Sequence, residues 1–492
     1  MQSLSKNHVV LFSYEGWGHL RPLTVFAARI VKTRPIHVTL LTSPRAYDRV
    51  VEISRSFGEG DDTLRNLIRV IAVTIEGDSS MLNPVAINNA FATAYKHLAH
   101  GEHVKCSKSN IVYDALPIPT SVVLDFFAKA PLETVRATTH SVKVYGWFTG
   151  AATYLNWAFG PSRADFRPKV FSAVKETGRS LGDVAEEIVF ATTGEVLHSA
   201  DLPPMYDHEH QPQARACDGL IMSTAEPYEL QAIASVKAWF AETSRSVYSV
   251  GPLLSPVDNP RSFEEEKKTS AKAKEIDQFM DTIYKSHGEK SLVYIAFGSV
   301  FWSTQPEKIW SFLDVLIEKK IPFIMSHASP FAVVPESVKE NVTKYGLGLL
   351  SQWTPQQSIL SHPATGWFVT HCGQNGIMEA ITLEVPMICW PFSADQPSNA
   401  ARLSDILNVA YELFEVRNGL GLKPTLRNGK VPTGTPEAIR AEAHQILESA
   451  FGKEGEKKRE NLKKVKEEIL GAWKEGGSSY LSMNALVEVF CA

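Results

Sequence analysis

The chain has 492 residues, more than one ordinary hydrophobic core accommodates, so two domains are expected. Hydrophobic residues make up 44% and charged residues 21% of the chain, which is typical of a globular protein. The formal net charge of −4 provides no overall positive field to attract nucleic acid or an anionic membrane. DNA, RNA and lipid bilayers are therefore not expected as partners.

The five cysteines are scattered and form no C-x-x-C pair, which favours free thiols over disulfides or a zinc site. Near the start, residues 9–12 are too short an apolar run for a secretory signal. No stretch reaches the roughly 18–20 uninterrupted apolar residues of a membrane span. The sequence thus predicts a cytoplasmic protein without a membrane span.

The first half alternates between short apolar runs and helical patterns. Residues 8–13 are typical of a buried strand, and a glycine-containing loop and a helix at about 20–31 follow. Further strand-like runs occur at 38–41, 70–73, 121–124 and 135–139. This alternation predicts βαβ units and a parallel sheet.

The alternation stops between about 160 and 215, where surface helices and a polar loop at 201–212 are expected, and it resumes at 219–223. Gly251, Pro252 and the charged run 264–268 indicate a linker. His208 and His210 in the polar loop raise the alternative of a metal site. They have no further ligands at useful spacing, so a solvated loop is favoured and no metal is expected.

A second alternating block has strand-like runs at 291–297, 322–325, 366–370 and 385–390. The two halves are alike in kind, which indicates two open α/β sheets that face each other. Ligands of such sheets bind beyond the carboxyl ends of the strands. The cleft between the two domains is therefore the expected binding site.

The run at 366–370 leads directly into His371, a glycine-containing turn and a helical pattern at 377–383. The N–H groups and the positive dipole end of such a helix form a natural phosphate site. Gly373 and Gly376 allow close backbone approach, and His371 can donate to a phosphate oxygen. Asn375 and Glu379 are four residues apart and share a helix face, where a carboxylate suits ribose hydroxyls. The alternative is a tight connection with a capping histidine.

Flanking residues extend this pattern. Trp353 upstream can stack on a flat base, and Asp395 and Gln396 downstream can bind sugar hydroxyls. From Trp353 to Gln396 the chain resembles the donor-binding signature of the plant-type family 1 UDP-dependent glycosyltransferases, W-x-P-Q…H-P…G-x-F-x-T-H-C-G-W-N-S…E…P…P…D-Q. The resemblance implies the GT-B fold, in which two Rossmann-like α/β domains with parallel sheets face a central cleft.

The resemblance also implies a role for each matching position. Trp353 would stack on uracil, Gln356 and Glu379 would hold the ribose, and Asp395 and Gln396 would bind the transferred sugar. The diphosphate would be bound by Ser299, which lies in a segment, 297–300, that matches the family's strand-end loop. The turn residues His371, Gly373, Asn375 and Gly376 would also bind it. The UDP-sugar is then a co-substrate, and no cofactor is expected.

Two positions depart from the family pattern. Gln374 replaces the family's tryptophan, and Gly376 replaces its serine, which removes one hydroxyl contact to phosphate. The identity of the donor sugar is therefore less firmly indicated than that of the nucleotide. Gln396 still favours glucose.

Transfer to a hydroxyl needs a base, for which histidine is suited. His19 follows the first strand, at the carboxyl end where the cleft is expected. Gly16 and Gly18 begin a dinucleotide-binding fingerprint, but Arg21 stands where its third glycine is required, so a dehydrogenase is excluded on spacing. From the residues alone, a structural histidine remains the alternative.

The segment from Gly18 to Pro22 resembles the family's G-H-x-x-P segment, whose histidine is the catalytic base. Asp125, just past a strand, matches its carboxylate partner, which would orient the ring. A helix-capping aspartate is the alternative. The implied reaction is attack on the anomeric carbon with inversion. Thr149, at the end of the matching segment 145–149, would contact the sugar.

The first half is rich in large apolar side chains, most of them expected in the core and some in an acceptor pocket. They are Met81, Phe91, Phe126, Phe127, Tyr145, Trp147, Phe148, Tyr154 and Trp157.

The predicted organisation has four parts: an acceptor-binding domain at 1–250, a linker at 251–285, a UDP-sugar-binding domain at 286–468 and a terminal helix at 469–492 that packs on the first domain. The function implied is transfer of a sugar, most simply glucose, from a UDP-sugar to a hydroxyl of a small lipophilic acceptor such as a phenol or terpenoid. A UDP-sugar epimerase and a catalytically silent UDP-sugar-binding subunit remain alternatives.

Overall fold

The computed structural model describes residues 7–57, 66–76, 84–160, 172, 175–176, 216–254, 260–268, 270–422, 424–425 and 428–492. These form two compact units, one made of 7–160, 216–265 and 469–492, and the other mainly of 266–468. Met81, the polar loop 201–212 and its two histidines lie outside the described residues.

The first unit is built on a seven-stranded parallel sheet. Its strands are β1 His8–Phe12, β2 His37–Thr42, β3 Ile68–Ala72, β6 Ser121–Asp125, β7 Lys143–Phe148, β8 Gly219–Met222 and β9 Ser246–Ser249. The spatial order is β3-β2-β1-β6-β7-β8-β9. The short strands β4 Val104–Lys105 and β5 Val112–Tyr113 form a separate antiparallel pair.

Helices cover both faces of this sheet. They are α1 Trp17–Thr33, α2 Tyr47–Phe57, α3 Val85–Ala99, α4 Lys129–Thr138, α5 Ala152–Phe159 and α6 Glu226–Ala241. In β1, Val9 and Leu11 join one buried cluster and Val10 and Phe12 join another, because successive side chains of a strand point to opposite faces. A continuous apolar strand is what a sheet buried on both sides requires.

The second unit contains a six-stranded parallel sheet in the order β12-β11-β10-β13-β14-β15. The strands are β10 Leu292–Ala296, β11 Phe323–Ser326, β12 Gly348–Ser351, β13 Thr365–Thr370, β14 Met387–Cys389 and β15 Ala410–Glu412.

Helices of residues 260–471 are α7 Pro260–Lys268, α8 Ala273–His287, α9 Glu307–Glu318, α10 Glu336–Tyr345, α11 Gln356–Ser361, α12 Gln374–Thr382, α13 Gln396–Ala401, α14 Pro436–Ala450 and α15 Lys453–Gly471. A π-helical segment, Arg402–Ile406, and a 3₁₀ segment, Gly419–Leu422, complete this part of the chain.

The last helix, α16 Ser478–Cys491, packs on the first unit. Its apolar side chains share a buried cluster with β1 and α1, and Ser479 Oγ donates to the Gly251 carbonyl at 2.5 Å. Arg34 at the end of α1 pairs with Glu488. The end of the chain therefore completes the core of the first sheet.

Two parallel α/β sheets confirm the predicted fold class, but one local prediction was wrong. Residues 135–139, predicted as a strand, lie in and just after α4, because Leu132 and Val135 are spaced to bury one helical face. The strand is instead β7, eight residues later. The charged run 264–268, within the predicted linker, lies in α7, and the division between the two units falls inside this run.

Among the described residues, which include all five cysteines, no disulfide is formed. None of the helices described is both long enough and apolar enough to cross a bilayer.

Candidate functional site

In the first sheet, β1 lies between β2 and β6, so the carboxyl ends of β1 and β6 are adjacent. Such a topological switch point is where open α/β sheets bind ligands. Asp125 is the last residue of β6. His19 is in the first turn of α1, which begins at Trp17, rather than in the predicted loop. The fold therefore brings two predicted site residues, 106 positions apart, to one point.

The two side chains are in direct contact: His19 Nδ1 lies 2.9 Å from Asp125 Oδ2. The carboxylate of Asp125 is fully buried, whereas 23% of the His19 side chain is exposed. Asp125 also accepts from Ser13 Oγ at 2.6 Å and from the Phe127 backbone N–H at 3.0 Å. A histidine with an exposed edge and a buried carboxylate behind it suits proton exchange with a ligand.

Burial alone would raise the pKa of Asp125. His19 and the hydrogen bonds from Ser13 and Phe127 outweigh burial and hold that pKa below its usual value. Asp125 is therefore a carboxylate across the physiological pH range. The alternative prediction, a helix-capping aspartate, fits less well because α4 has Ala128 at its N-cap.

The backbone of His19 is anchored as well. Trp147 Nε1 donates to the His19 carbonyl at 3.2 Å, and the buried Trp147 indole stacks on Phe26 of α1 at a centroid distance of 5.3 Å. The ring of Phe127 lies 5.9 Å from the His19 ring. Trp147 and Phe26 are thus core residues that also fix the histidine.

Thr149 follows β7 and is buried, with its carbonyl accepting from Ser223 Oγ at 3.2 Å. The structure places it at the carboxyl edge of the first sheet, one strand beyond β6.

The second sheet repeats the arrangement. β10 lies between β11 and β13, so the loops that follow β10 and β13 are adjacent at the switch point of this sheet. Ser299 is in the first loop, and His371 and Gly373 are in the second, which leads into α12. Gly373 is the N-cap of α12 and offers no side-chain cap to the helix. Asn375 and Gly376 lie in its first turn, so these predicted site residues surround a helix N-terminus, which can bind an anion.

The ring of His371 fits between two glycines. A β-carbon added at Gly298 would lie 2.9 Å from His371 Nε2, and one added at Gly373 would lie 2.5 Å from the same atom. The backbone of Gly298 is in the left-handed region, with φ +75°. Burial lowers the pKa of His371 to about 4, although a backbone hydrogen bond with Ala296 opposes the shift. The imidazole is therefore neutral near pH 7 and can donate only one hydrogen bond at a time.

Gln356 and Glu379 also meet. Gln356 Nε2 donates to Glu379 Oε2 at 2.5 Å, which joins the first turn of α11 to α12. Tyr294 of β10 supports this pair, since its hydroxyl contacts Thr354 Oγ1 at 2.7 Å and Gln356 Oε1 at 3.3 Å. Trp353, three residues before Gln356, is partly exposed. The structure thus joins the amide of Gln356 to the carboxylate of Glu379, and Trp353 lies just before α11.

Asp395 and Gln396 stand at the start of α13. Gln396 Oε1 accepts from the backbone N–H groups of Phe392 and Ser393, at 2.8 and 3.1 Å. Since its oxygen holds the loop, a sugar contact by Gln396 would use its NH₂ group. Asn399 Nδ2 donates both to Asp395 Oδ2 and to the Cys372 carbonyl, each at 3.0 Å. It thereby connects Asp395, a predicted sugar-binding residue, to the turn that follows His371.

Backbone strain accompanies this turn. Cys372 and Ala394 have φ of +65° and +60°, in the left-handed region that non-glycine residues rarely adopt. Each is adjacent to a predicted site residue, His371 or Asp395. Strain of this kind persists where the surroundings fix an unusual conformation, and it is frequent at binding sites.

Four supporting residues were not found from the sequence: Ser13, Tyr294, Asn399 and Glu266. The Glu266 carboxylate accepts from the backbone N–H groups of Gln357 and Ser358 in α11, at 3.2 and 3.0 Å. Asn399 carried a usable signal, because it is four residues after Asp395 on a helix. The other three are brought to the site by tertiary structure, and no local spacing marks them. Among the described residues, no group of three or more histidine, cysteine or acidic side chains could hold a metal ion.

Comparison with known proteins identifies the family. Residues 260–413 match the family model described as UDP-glucoronosyl and UDP-glucosyl transferase. The chain is 31% identical over 524 aligned residues to the UDP-glycosyltransferase eriJ of Hericium erinaceus, covering 99% of each chain. It is 34% identical over 207 residues to a flavonol 3-O-glucosyltransferase of Actinidia chinensis var. chinensis, covering 41% of this chain and 40% of the relative.

Solved structures show the same fold. A ugt transferase from Siraitia grosvenorii in complex with UDP superposes with a TM-score of 0.69 at 21% identity, covering 99% of this chain and all of the other. A Medicago truncatula protein complexed with UDP-glucose gives a TM-score of 0.68 at 21% identity, with full coverage of both chains.

Proposed function

This chain belongs to the UDP-dependent glycosyltransferase family, and from that premise we propose that it transfers glucose to a hydroxyl of a small lipophilic acceptor with inversion at the anomeric carbon. Family membership makes it an enzyme that moves a sugar from a UDP-sugar to a small molecule. The choice of sugar, the stereochemistry and the roles of individual residues are the proposal. The observation that carries it is the His19–Asp125 contact at the switch point of the first sheet.

His19 is the proposed general base. Because Nδ1 is held by Asp125, proton exchange with the acceptor falls to Nε2. Asp125 fixes the tautomer and stabilises the imidazolium that forms as the acceptor oxygen attacks. The attack comes from the face of the sugar opposite the diphosphate, and the configuration at the anomeric carbon inverts.

The leaving diphosphate is stabilised by the second unit. The N-terminus of α12 supplies its positive dipole end and backbone donors. The neutral His371 has a single N–H, which in the proposed complex donates to the phosphate rather than to the Ala296 backbone. Ser299, Asn375 and the backbone at Gly376 complete the proposed diphosphate site. With these donors in place we expect activity without added metal, which dialysis against EDTA would check.

The proposed nucleoside and sugar contacts are those that the family resemblance implies. Trp353 stacks on uracil, and the Gln356–Glu379 pair binds the ribose hydroxyls. Asp395 and the NH₂ group of Gln396 bind hydroxyls of the transferred glucose, and Thr149 is a further sugar contact. No cofactor takes part, since the UDP-sugar is a co-substrate.

The main experiment measures UDP release from UDP-glucose, UDP-xylose and UDP-galactose with a panel of phenolic and terpenoid alcohols. We expect UDP-glucose to be preferred, release to require the alcohol, and the product to carry the inverted linkage by NMR. Release without added alcohol, or retention of configuration, would contradict the proposal.

Two variants test the residues. His19→Ala should abolish transfer while UDP binds as in the wild type, and full turnover would remove His19 as the base. Gln396→Glu keeps the oxygen that accepts from Phe392 and Ser393 but removes the NH₂ donor. It should therefore reduce discrimination among the three sugars more than it weakens UDP binding, as measured by calorimetry.

A further inference from the structure

Ser13 lies immediately after β1 and is 1% exposed. Its hydroxyl donates to Asp125 Oδ2 at 2.6 Å, which is the atom that His19 Nδ1 contacts at 2.9 Å. One carboxylate oxygen therefore serves both side chains. The other oxygen, Oδ1, accepts from the Phe127 backbone N–H.

The Ser13 hydroxyl has a second, weaker acceptor in the Tyr14 carbonyl at 3.4 Å. The 2.6 Å distance to Asp125 is typical of a charge-assisted O–H···O⁻ bond, which is about twice as strong as a neutral one. A buried hydroxyl needs an acceptor, and a buried carboxylate needs donors. The Ser13–Asp125 bond satisfies both groups.

We propose that Ser13 is a positioning residue for the transfer reaction: its hydroxyl fixes the Asp125 carboxylate and moderates the pull of Oδ2 on the His19 ring. The inference rests on the proposed role of His19 as base. A donor on Oδ2 withdraws negative charge from that oxygen, so the imidazolium of His19 is stabilised less than it would be by Asp125 alone. Ser13 thereby keeps more of His19 in the unprotonated form that accepts a proton.

The neighbouring phenol of Tyr14 does not titrate in the working range. Tyr14 follows Ser13, and burial and then Asp125 raise its pKa, so its phenol stays neutral. Its hydroxyl donates to Asn88 of α3, which carries no charge. Within the part of the chain that the structure describes, Asp125 and His19 are therefore the ionising pair on which Ser13 acts.

The test compares Ser13→Ala, Ser13→Cys and Ser13→Thr with the wild type. Alanine removes the donor, cysteine weakens it, and threonine keeps a hydroxyl. The His19 ring signal is followed by NMR between pH 5 and 9, assigned by its loss in His19→Ala. We expect its pKa to rise by about 0.5–1 pH unit in Ser13→Ala, by less in Ser13→Cys, and to stay near the wild-type value in Ser13→Thr. This readout requires no acceptor.

The same variants are assayed for kcat/KM with UDP-glucose and geraniol, an aliphatic alcohol that does not ionise in this range. Ser13→Ala should be about three- to tenfold slower at pH 6 and should approach the wild-type rate above pH 8.5. A loss that is equal at every pH, or an unchanged NMR titration, would overturn the assignment. If His19→Ala turned over fully while the His19 titration still shifted in Ser13→Ala, the proposed base would be wrong. The effect of Ser13 on the Asp125–His19 pair would still hold.

Discussion

Two glycines beside His371 allow a sharp test of the proposed diphosphate site. In Gly298→Ala the new β-carbon would lie 2.9 Å from His371 Nε2, at a backbone φ of +75°. In Gly373→Ala it would lie 2.5 Å from the same atom, at a φ of −67° that alanine adopts without strain. Gly346 is the matched control, because its φ is +76° and nothing lies within 4 Å of an added β-carbon.

The three variants separate backbone strain from crowding. A left-handed alanine costs about 1 kcal/mol, the loss expected for Gly346→Ala. Forcing a methyl group against the His371 ring costs about 1–3 kcal/mol, the loss expected for Gly373→Ala. Gly298→Ala combines both, so its free energy of unfolding should fall by about 2–4 kcal/mol.

The binding of UDP is the decisive measurement. The ring can escape the added methyl group only by leaving its place beside Gly298 and Gly373. It then loses a hydrogen bond to a charged phosphate, worth about 1.5–3 kcal/mol, so the Kd for UDP should rise about ten- to hundredfold. Calorimetry should show this for Gly298→Ala and Gly373→Ala but not for Gly346→Ala. Wild-type affinity in the first two would refute His371 as a diphosphate ligand.

Three further predictions concern other parts of the molecule. The Glu266 carboxylate accepts from the N–H groups of Gln357 and Ser358 in the first turn of α11, the helix that begins at Gln356. Glu266→Gln should therefore raise the Kd for UDP about three- to tenfold with little change in kcat. The control is Glu229→Gln, which weakens a similar cap on α5 and should leave UDP binding unchanged. An added β-carbon at Gly376 would meet only ordinary contacts at 3.7 Å, so Gly376→Ser should keep the melting temperature. Because the serine hydroxyl adds a hydrogen bond to phosphate, the Kd for UDP should fall about two- to tenfold. Weaker binding would contradict a position that faces the phosphate. Burial lowers the pKa of His8 to about 4, so the folded protein holds this ring neutral. The contribution of the neutral ring to the free energy of unfolding, about 3 kcal/mol in full, is present above pH 6.5 and is lost as the pH falls toward 4. Urea unfolding of His8→Gln should lack that part of the pH dependence.

The sequence predicts the parallel strands that carry the site, because continuous apolar runs alternating with helices have few other solutions. It also indicates that His19 and Asp125 each follow a strand. It does not show that β1 and β6 are neighbours, since β2 to β5 intervene along the chain. The pairing of these residues was inferred from the family resemblance, and the distance between them comes only from the structure.

Where the sequence analysis failed, tertiary contacts outweighed local preference. Valine and threonine at 135–139 favour a strand, yet burial of Leu132 and Val135 against the first sheet makes the segment helical. The charged run 264–268 is typical of a solvated linker. Its linker role stays a prediction, and Glu266 within it also caps α11, a contact across 91 positions that no local pattern records.

The proposed tasks of the two histidines at the two switch points differ because their surroundings differ. His19 is partly exposed and has a buried carboxylate on Nδ1, so its protonated form is stabilised and it suits the acceptance of a proton. His371 lies between two glycines, and the groups that act on its pKa are its burial and the Ala296 backbone, with no carboxylate among them. Its pKa of about 4 keeps it neutral, so it can donate a hydrogen bond to the leaving group without competing for the proton of the acceptor. Exchanging these surroundings, rather than the histidines, would exchange their roles.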